Sequence, residues 1–267
     1  MGDGMEGFTQ VTFCAEGKTR DVYKLGSGPA VIVIAEIPGI TPKVAEFGRK
    51  VAAIGCTAVL PRLFGTAGRA PSNGYALRSV APACVSKEFA AFAVGKTSPV
   101  TTWLRALARD VHSECGGPGV GVVGMCFTGG FALAMMVDDI VLAPVLSQPS
   151  LPIGFSSKKK RDLGISDVDL ARVKQRCATE DICILGLRFT GDALAPGERF
   201  ARLREELGDK FVGVELDSSA GNPYGHPKNA HSVLTEHLQD REGTPTREAL
   251  DQVLDLFRAK LLYSSSR

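Results

Sequence analysis

Five short apolar runs constrain this chain more than any other feature. They are AVIVIAEIPG (Ala30–Gly39), CTAVLP, GVGVVGM, DIVLAPV and ICILGLRFTG. Each has the length of a strand, and the first two are apolar at consecutive rather than alternate positions, as strands buried on both faces are. A sixth run, KFVGVELDSS, follows them. The segments between have helical spacing. In TPKVAEFGRKVAAIG, Val44, Phe47, Val51 and Ile54 share one face, Thr41 and Pro42 suit the start, and Gly55 suits the end. Further helices are expected over Pro99–Cys115, TGGFALAMMV, DVDLARVKQRC, APGERFARLREELG and the closing TREALDQVLDLFRAKLL. Ahead of Ala30, TQVTFCAEG and KTRDVYKLG alternate, with Gly17-Lys18 between them as a turn. Strand–helix alternation from Ala30 onward calls for crossover connections. The expected fold class is therefore α/β: one domain over residues 1–267, a mostly parallel sheet with helices on both faces and antiparallel strands at its N-terminus. The tail at 263–267 is expected to be disordered.

Charge and cysteine usage exclude several function classes. Lys and Arg number 31 against 29 Asp and Glu, a net charge of +2, too small to suggest a nucleic-acid or membrane partner. The one basic run, KKKR at Lys158–Arg161, is expected to be a solvated loop before the next helix. No apolar stretch is long enough to span a bilayer, and MGDGMEGFTQ has no signal-peptide core. The seven cysteines are odd in number and none are spaced CxxC. A disulfide framework or metal site is not expected, and a cytoplasmic location fits. Most of these thiols are expected to be small buried hydrophobes, with one exception.

In a sheet of this kind the working residues lie at the carboxyl ends of strands. Cys126 follows GVGVVGM directly and precedes an apolar helix. A nucleophile on a tight strand-to-helix turn needs small residues two positions either side; Gly124 supplies one, and Thr128 stands where the pattern prefers glycine. The first N–H groups of the new helix and its dipole would favour a thiolate there. GVGVVG also satisfies GxGxxG, but its glycines lie within the strand rather than after it, so no dinucleotide cofactor is expected. A buried structural cysteine is the plainer alternative. Asp192 follows the strand ICILGLRF; alone it would be a turn residue. Of four histidines, His112 falls in a helix and His237 in the charged stretch TEHLQDRE, where it would be solvated. His226 and His231 both follow the last strand, and either could reach the strand ends. The order nucleophile, acid, histidine is the chain order of the α/β-hydrolase triad.

These residues resemble the dienelactone hydrolases, a cysteine-nucleophile branch of the α/β-hydrolases. The likeness runs from about Val31 to Leu262 and rests on VIVIAEIPGI, GCTAVLPRLFG, GMCFTGG, TGDALAP and AHSVL. Arg62 and Thr128 are departures from the family's usual aspartate and glycine. The resemblance implies hydrolysis of an ester or lactone through a thioester on Cys126, with Asp192 as the acid and His231 as the base; the long loop before it leaves His226 as the alternative. It implies Ile37 and Phe127 as backbone oxyanion donors, and Glu36 as an acid that takes the thiol proton when substrate arrives. A bland alternative for Glu36 is a salt-bridged or solvent-facing side chain. The family places arginines around a substrate carboxylate; Thr235 stands where one falls after the histidine, and Arg78 is a candidate for another. Segments 64–96 and 147–180 are expected to wall or cap the pocket. An acyltransferase or thioesterase with the same triad, and a non-catalytic small-molecule binding domain, are the competing readings. The partner expected is a small-molecule ester or lactone, with monomer and homodimer both open.

Overall fold

The computed structural model describes residues 3–72, 89, 95–150 and 156–263. The alternating N-terminal segments pair as an antiparallel hairpin, β1 (Thr9–Ala15) with β2 (Lys18–Gly26). Its turn is Glu16-Gly17, both at positive φ (53° and 68°), a conformation whose twist matches that of the strands. The turn thus lies one residue earlier than expected, because Lys18 already pairs with Ala15.

The apolar runs form β3 (Ala30–Ile34), β4 (Thr57–Pro61), β5 (Val120–Met125), β6 (Val141–Ser147), β7 (Ile184–Phe189) and β8 (Phe211–Leu216). Together with the hairpin they make one eight-stranded sheet in the order β1-β2-β4-β3-β5-β6-β7-β8. The β2–β4 pair is antiparallel and every pair from β4 to β8 is parallel. This is the fold class expected from the sequence.

The strands are buried on both faces because successive side chains enter opposite cores. Ile32 and Ile34 of β3 and Val122 of β5 pack on one side with α2 (Val100–Cys115), α3 (Gly129–Met135), α5 (Asp167–Thr179) and α6 (Gly197–Leu207). Val31, Val33 and Val123 pack on the other with α1 (Pro42–Ala53) and α7 (Pro245–Phe257). The start of α1 is as expected: Thr41 Oγ1 accepts a hydrogen bond from Val44 N at 3.3 Å, and Pro42 occupies the first turn, where its missing N–H costs nothing.

Several boundaries differ from the sequence reading. The first run leaves the sheet at Ile34, and the Ile37-Pro38 bond is cis. DIVLAPV does not end at Val145, since β6 continues to Ser147. The KKKR run is a short helix, α4 (Ser157–Arg161), and not a loop. Ser156 caps it, and Lys160 and Arg161 pair with Glu198 and Glu205 of α6. Arg78 lies outside the described residues, as do residues 264–267 of the expected tail and parts of the segments 64–96 and 147–180. Among the described residues, no helix is long and apolar enough to cross a membrane.

Candidate active site

Register decides which strand ends meet. Ile34 of β3 lies beside Gly124 of β5, so Ile37 and Phe127 each follow three residues beyond that pair. On the other side of β5, Met125 lies beside Ser147 of β6, and Ser147 beside Leu187 of β7. The segments bearing Glu36, Cys126, Ser150 and Asp192 therefore leave the sheet at one edge.

Cys126 has φ +56°, a left-handed conformation that L side chains rarely adopt. It opens a 3-10 turn, Cys126–Thr128, that leads into α3. Phe127 is the second residue of that turn, where N–H groups have no partner within the helix. The turn is tight: a Cβ at Gly124 would lie 2.3 Å from Thr128 O. Thr128, the departure in the motif, is fully buried and ties the turn to both strands. Its Oγ1 accepts from Met125 N at 2.8 Å and shares its proton between Ile34 O (2.8 Å) and Met125 O (2.9 Å).

Asp192 is buried, one turn beyond β7. Its Oδ1 accepts from Leu194 N at 2.9 Å, and its Oδ2 lies 2.6 Å from His231 Nδ1. An ionised carboxylate can only accept, so Nδ1 carries the proton. His231 Nε2 is buried, and Cys126 acts on the ring chiefly through charge. Burial disfavours the imidazolium, but a Cys126 thiolate and the Asp192 carboxylate outweigh it and hold His231 well above its ordinary value, at about 11.

The other candidate, His226, is placed elsewhere. Its ring packs on Phe189, centroids 5.0 Å apart, and its backbone N–H and C=O are held by Asn222 at 2.9 and 2.7 Å. Burial lowers its pKa, disfavouring the charged ring.

Glu36 is buried, and its hydrogen bonds go to the loop that carries His231 rather than to the thiol. Oε2 accepts from Ser232 Oγ (2.7 Å) and Gln148 Nε2 (3.3 Å), and Oε1 from Thr235 Oγ1 (2.5 Å). Thr235, where the resemblance places an arginine, thus supplies a neutral hydroxyl to this carboxylate.

Two site residues went unnoticed in the sequence, and a third was misplaced. Ser150 donates from N–H to Cys126 O and from Oγ to Cys126 Sγ, both at 2.9 Å. Gln148, at φ +36°, bridges Glu36 and Val233 N, the latter at 3.2 Å. Both follow β6 in LSQPS, and the rule that looks to strand ends would have found them had β6 been carried to Ser147. His237, expected to be solvated, is half-buried, and its Nδ1 accepts from the N–H groups of His231 (3.3 Å) and Ser232 (3.2 Å).

The thiols are less uniformly buried than expected. Of those described, Cys56 and Cys177 are buried, and burial pushes both up to about 11; Cys14 is exposed, and Cys115, Cys126 and Cys183 are half-buried.

A family model described as the dienelactone hydrolase family matches residues 21–261. No curated protein matches the chain. Among solved structures, a dienelactone hydrolase-like promiscuous phosphotriesterase from metagenomic libraries is similar at 14% identity and TM-score 0.63, over 95% of this chain and 98% of its own. A dienelactone hydrolase of Anabaena variabilis is similar at 13% identity and TM-score 0.60, over 96% and 100%. A cold-adapted esterase from an Arctic intertidal metagenomic library is similar at 14% identity and TM-score 0.58, over 94% and 92%. Likeness at this level of identity bears on the fold, which is the single-domain α/β-hydrolase fold.

Proposed function

The chain belongs to the dienelactone hydrolase family, a family of hydrolases, and from that premise we propose that it cleaves a carboxylic ester or lactone with Cys126 as nucleophile, His231 as acid–base and Asp192 as its orienting carboxylate. One observation carries the proposal: a cysteine in the left-handed conformation just past a central strand, its Sγ held by Ser150 Oγ at 2.9 Å, acts on a histidine whose Nδ1 lies 2.6 Å from a buried carboxylate. In the proposed mechanism the two work as a thiolate–imidazolium pair, the resting form a cysteine hydrolase needs.

The Cys126 thiolate attacks the carbonyl carbon, and the carbonyl oxygen takes up the electron pair as an oxyanion. The Ile37 and Phe127 amides are the proposed donors to it; one such donor typically contributes about 3 kcal/mol to lowering the barrier. Collapse expels the alkoxide, which takes the Nε2 proton of His231, and a thioester remains on Cys126. Neutral His231 then accepts a proton from water as the water attacks the thioester. The acid leaves and the thiolate–imidazolium pair is restored. Glu36 serves in this arrangement as the anchor of the His231 loop. Three of its four lone-pair sites are taken by these hydrogen bonds, and the fourth, on Oε1, is where a thiol proton would go when substrate arrives. Segments 64–96 and 147–180 are the proposed walls of the pocket, and a small-molecule ester or lactone its occupant.

The test is p-nitrophenyl acetate turnover in wild type, Cys126→Ala and Cys126→Ser. Cys126→Ala should be inactive, and Cys126→Ser should keep the fold and lose most activity. Wild-type turnover by Cys126→Ala would overturn the mechanism.

A further inference from the structure

Beside the nucleophile turn lies a buried guanidinium bound entirely by carbonyl oxygens. Arg199, in the first turn of α6, is 4% exposed. Its Nε donates to Asp162 O (2.6 Å), its Nη1 to Pro149 O (2.7 Å) and Leu194 O (3.4 Å), and its Nη2 to Lys159 O (3.0 Å). Arg176 offers a comparison. It too is buried and gathers carbonyls, those of Met136, Asp138, Asp139 and Val141, but it also pairs with the Glu180 carboxylate. Among the described residues, no carboxylate pairs with Arg199 in this way. A buried cation needs negative charge nearby. Burial pushes Arg199 down to about 10, and the charges that resist this are, in order, Asp162, Cys126, Asp192 and Glu198. Two of these four are the nucleophile and its partner acid.

The carbonyls it grips belong to segments that build the site. Pro149 precedes Ser150, which binds Cys126 through both N–H and Oγ. Leu194 is the residue whose N–H binds Asp192. The approach of Pro149 to the turn depends on Gly129, where a Cβ would lie 2.6 Å from Pro149 Cβ.

We infer that Ser150 and Arg199 form a thiolate-holding arm: Ser150 donates a hydrogen bond to Cys126 Sγ, and Arg199 fixes Ser150 through the Pro149 carbonyl while supplying a buried positive charge. The inference rests on Cys126 being the nucleophile and deepens that reading. A hydrogen bond to the charged form and a nearby cation both favour thiolate over thiol. Ser150 touches the reacting atom and is a catalytic residue; Arg199 acts through it and is a positioning residue.

The experiment measures alkylation of Cys126 by iodoacetamide against pH. The peptide containing Cys126 is read by mass spectrometry in the full-length protein, with Tm recorded for each variant. Ser150→Ala should alkylate about tenfold more slowly below its midpoint, which should move to higher pH. Ser150→Thr, which keeps the hydroxyl, should follow wild type. Arg199→Met should move the midpoint further than Ser150→Ala, and Arg199→Lys should fall between Met and wild type. A purely structural Arg199 would lower Tm and leave the midpoint in place, which overturns its part in the arm. If Arg199→Met does not fold, Ser150→Ala and Arg199→Lys decide. The two readings fail separately. Turnover by Cys126→Ala sinks the nucleophile whatever the alkylation profile. Turnover that needs Cys126, with all midpoints at the wild-type value, sinks this inference alone.

Discussion

Cys126 and Gln148 occupy backbone conformations that L residues rarely adopt, and they end neighbouring strands. Such strain persists only where the surroundings over-determine it. Around Cys126 the determining residue is Thr128. A glycine there would leave Met125 N and Ile34 O without this partner; the threonine hydroxyl satisfies both and joins the ends of β3 and β5. A motif departure in the sequence is thus a strut in the structure. Thr128→Val keeps the shape and removes the hydroxyl, leaving buried polar groups unpaired. It should cost about 1–3 kcal/mol of stability, measured by urea unfolding, while Thr128→Ser should lose less. Wild-type stability in the valine variant would refute this role.

At the scale of elements, the site depends on how the loop after β8 is anchored. It has no regular structure between Leu216 and α7, yet it carries His231. Three side chains fix it. Glu36 from the β3 end binds Ser232 and Thr235, Gln148 from the β6 end binds Val233 N, and His237 folds back on the His231 and Ser232 amides. His237 can accept those two bonds only with Nδ1 unprotonated. Burial, followed by the charge on His231, lowers its pKa and so favours the neutral ring that this requires. His237→Ala should lower kcat with little change in KM, because His231 loses its backbone support. His237→Asn retains an acceptor and should recover much of the loss. Equal kinetics for wild type and His237→Ala would show that the other two anchors suffice.

For the whole molecule, stability is coupled to pH through a buried histidine outside the site. His226 has its folded-state pKa lowered by burial. Above its unfolded value of about 6.5 it is neutral in both states and contributes no pH dependence. Below that value the unfolded chain takes up a proton that the fold resists, so stability falls as pH falls. Between pH 7.5 and 5.5, His226→Gln should therefore lose less unfolding free energy than wild type; equal losses would contradict the assignment. The sequence by itself determined the parallel sheet, since only double-sided burial explains runs such as AVIVI and TAVLP. It also determined that Cys126 and Asp192 stand just past strands, because both follow an apolar run directly. Which histidine meets Asp192 was decided by tertiary structure. His226 and His231 lie five residues apart in one irregular loop, where no periodicity fixes a direction, and only packing on Phe189 and the Asp192 contact separates them. Arg199 likewise had no local signal, and the only one for Gln148 and Ser150 was their place just past β6. Their roles follow from the register of β5 with β6 and from α6 lying against the loops after β6 and β7, through hydrogen bonds between residues 24 to 112 positions apart in the chain.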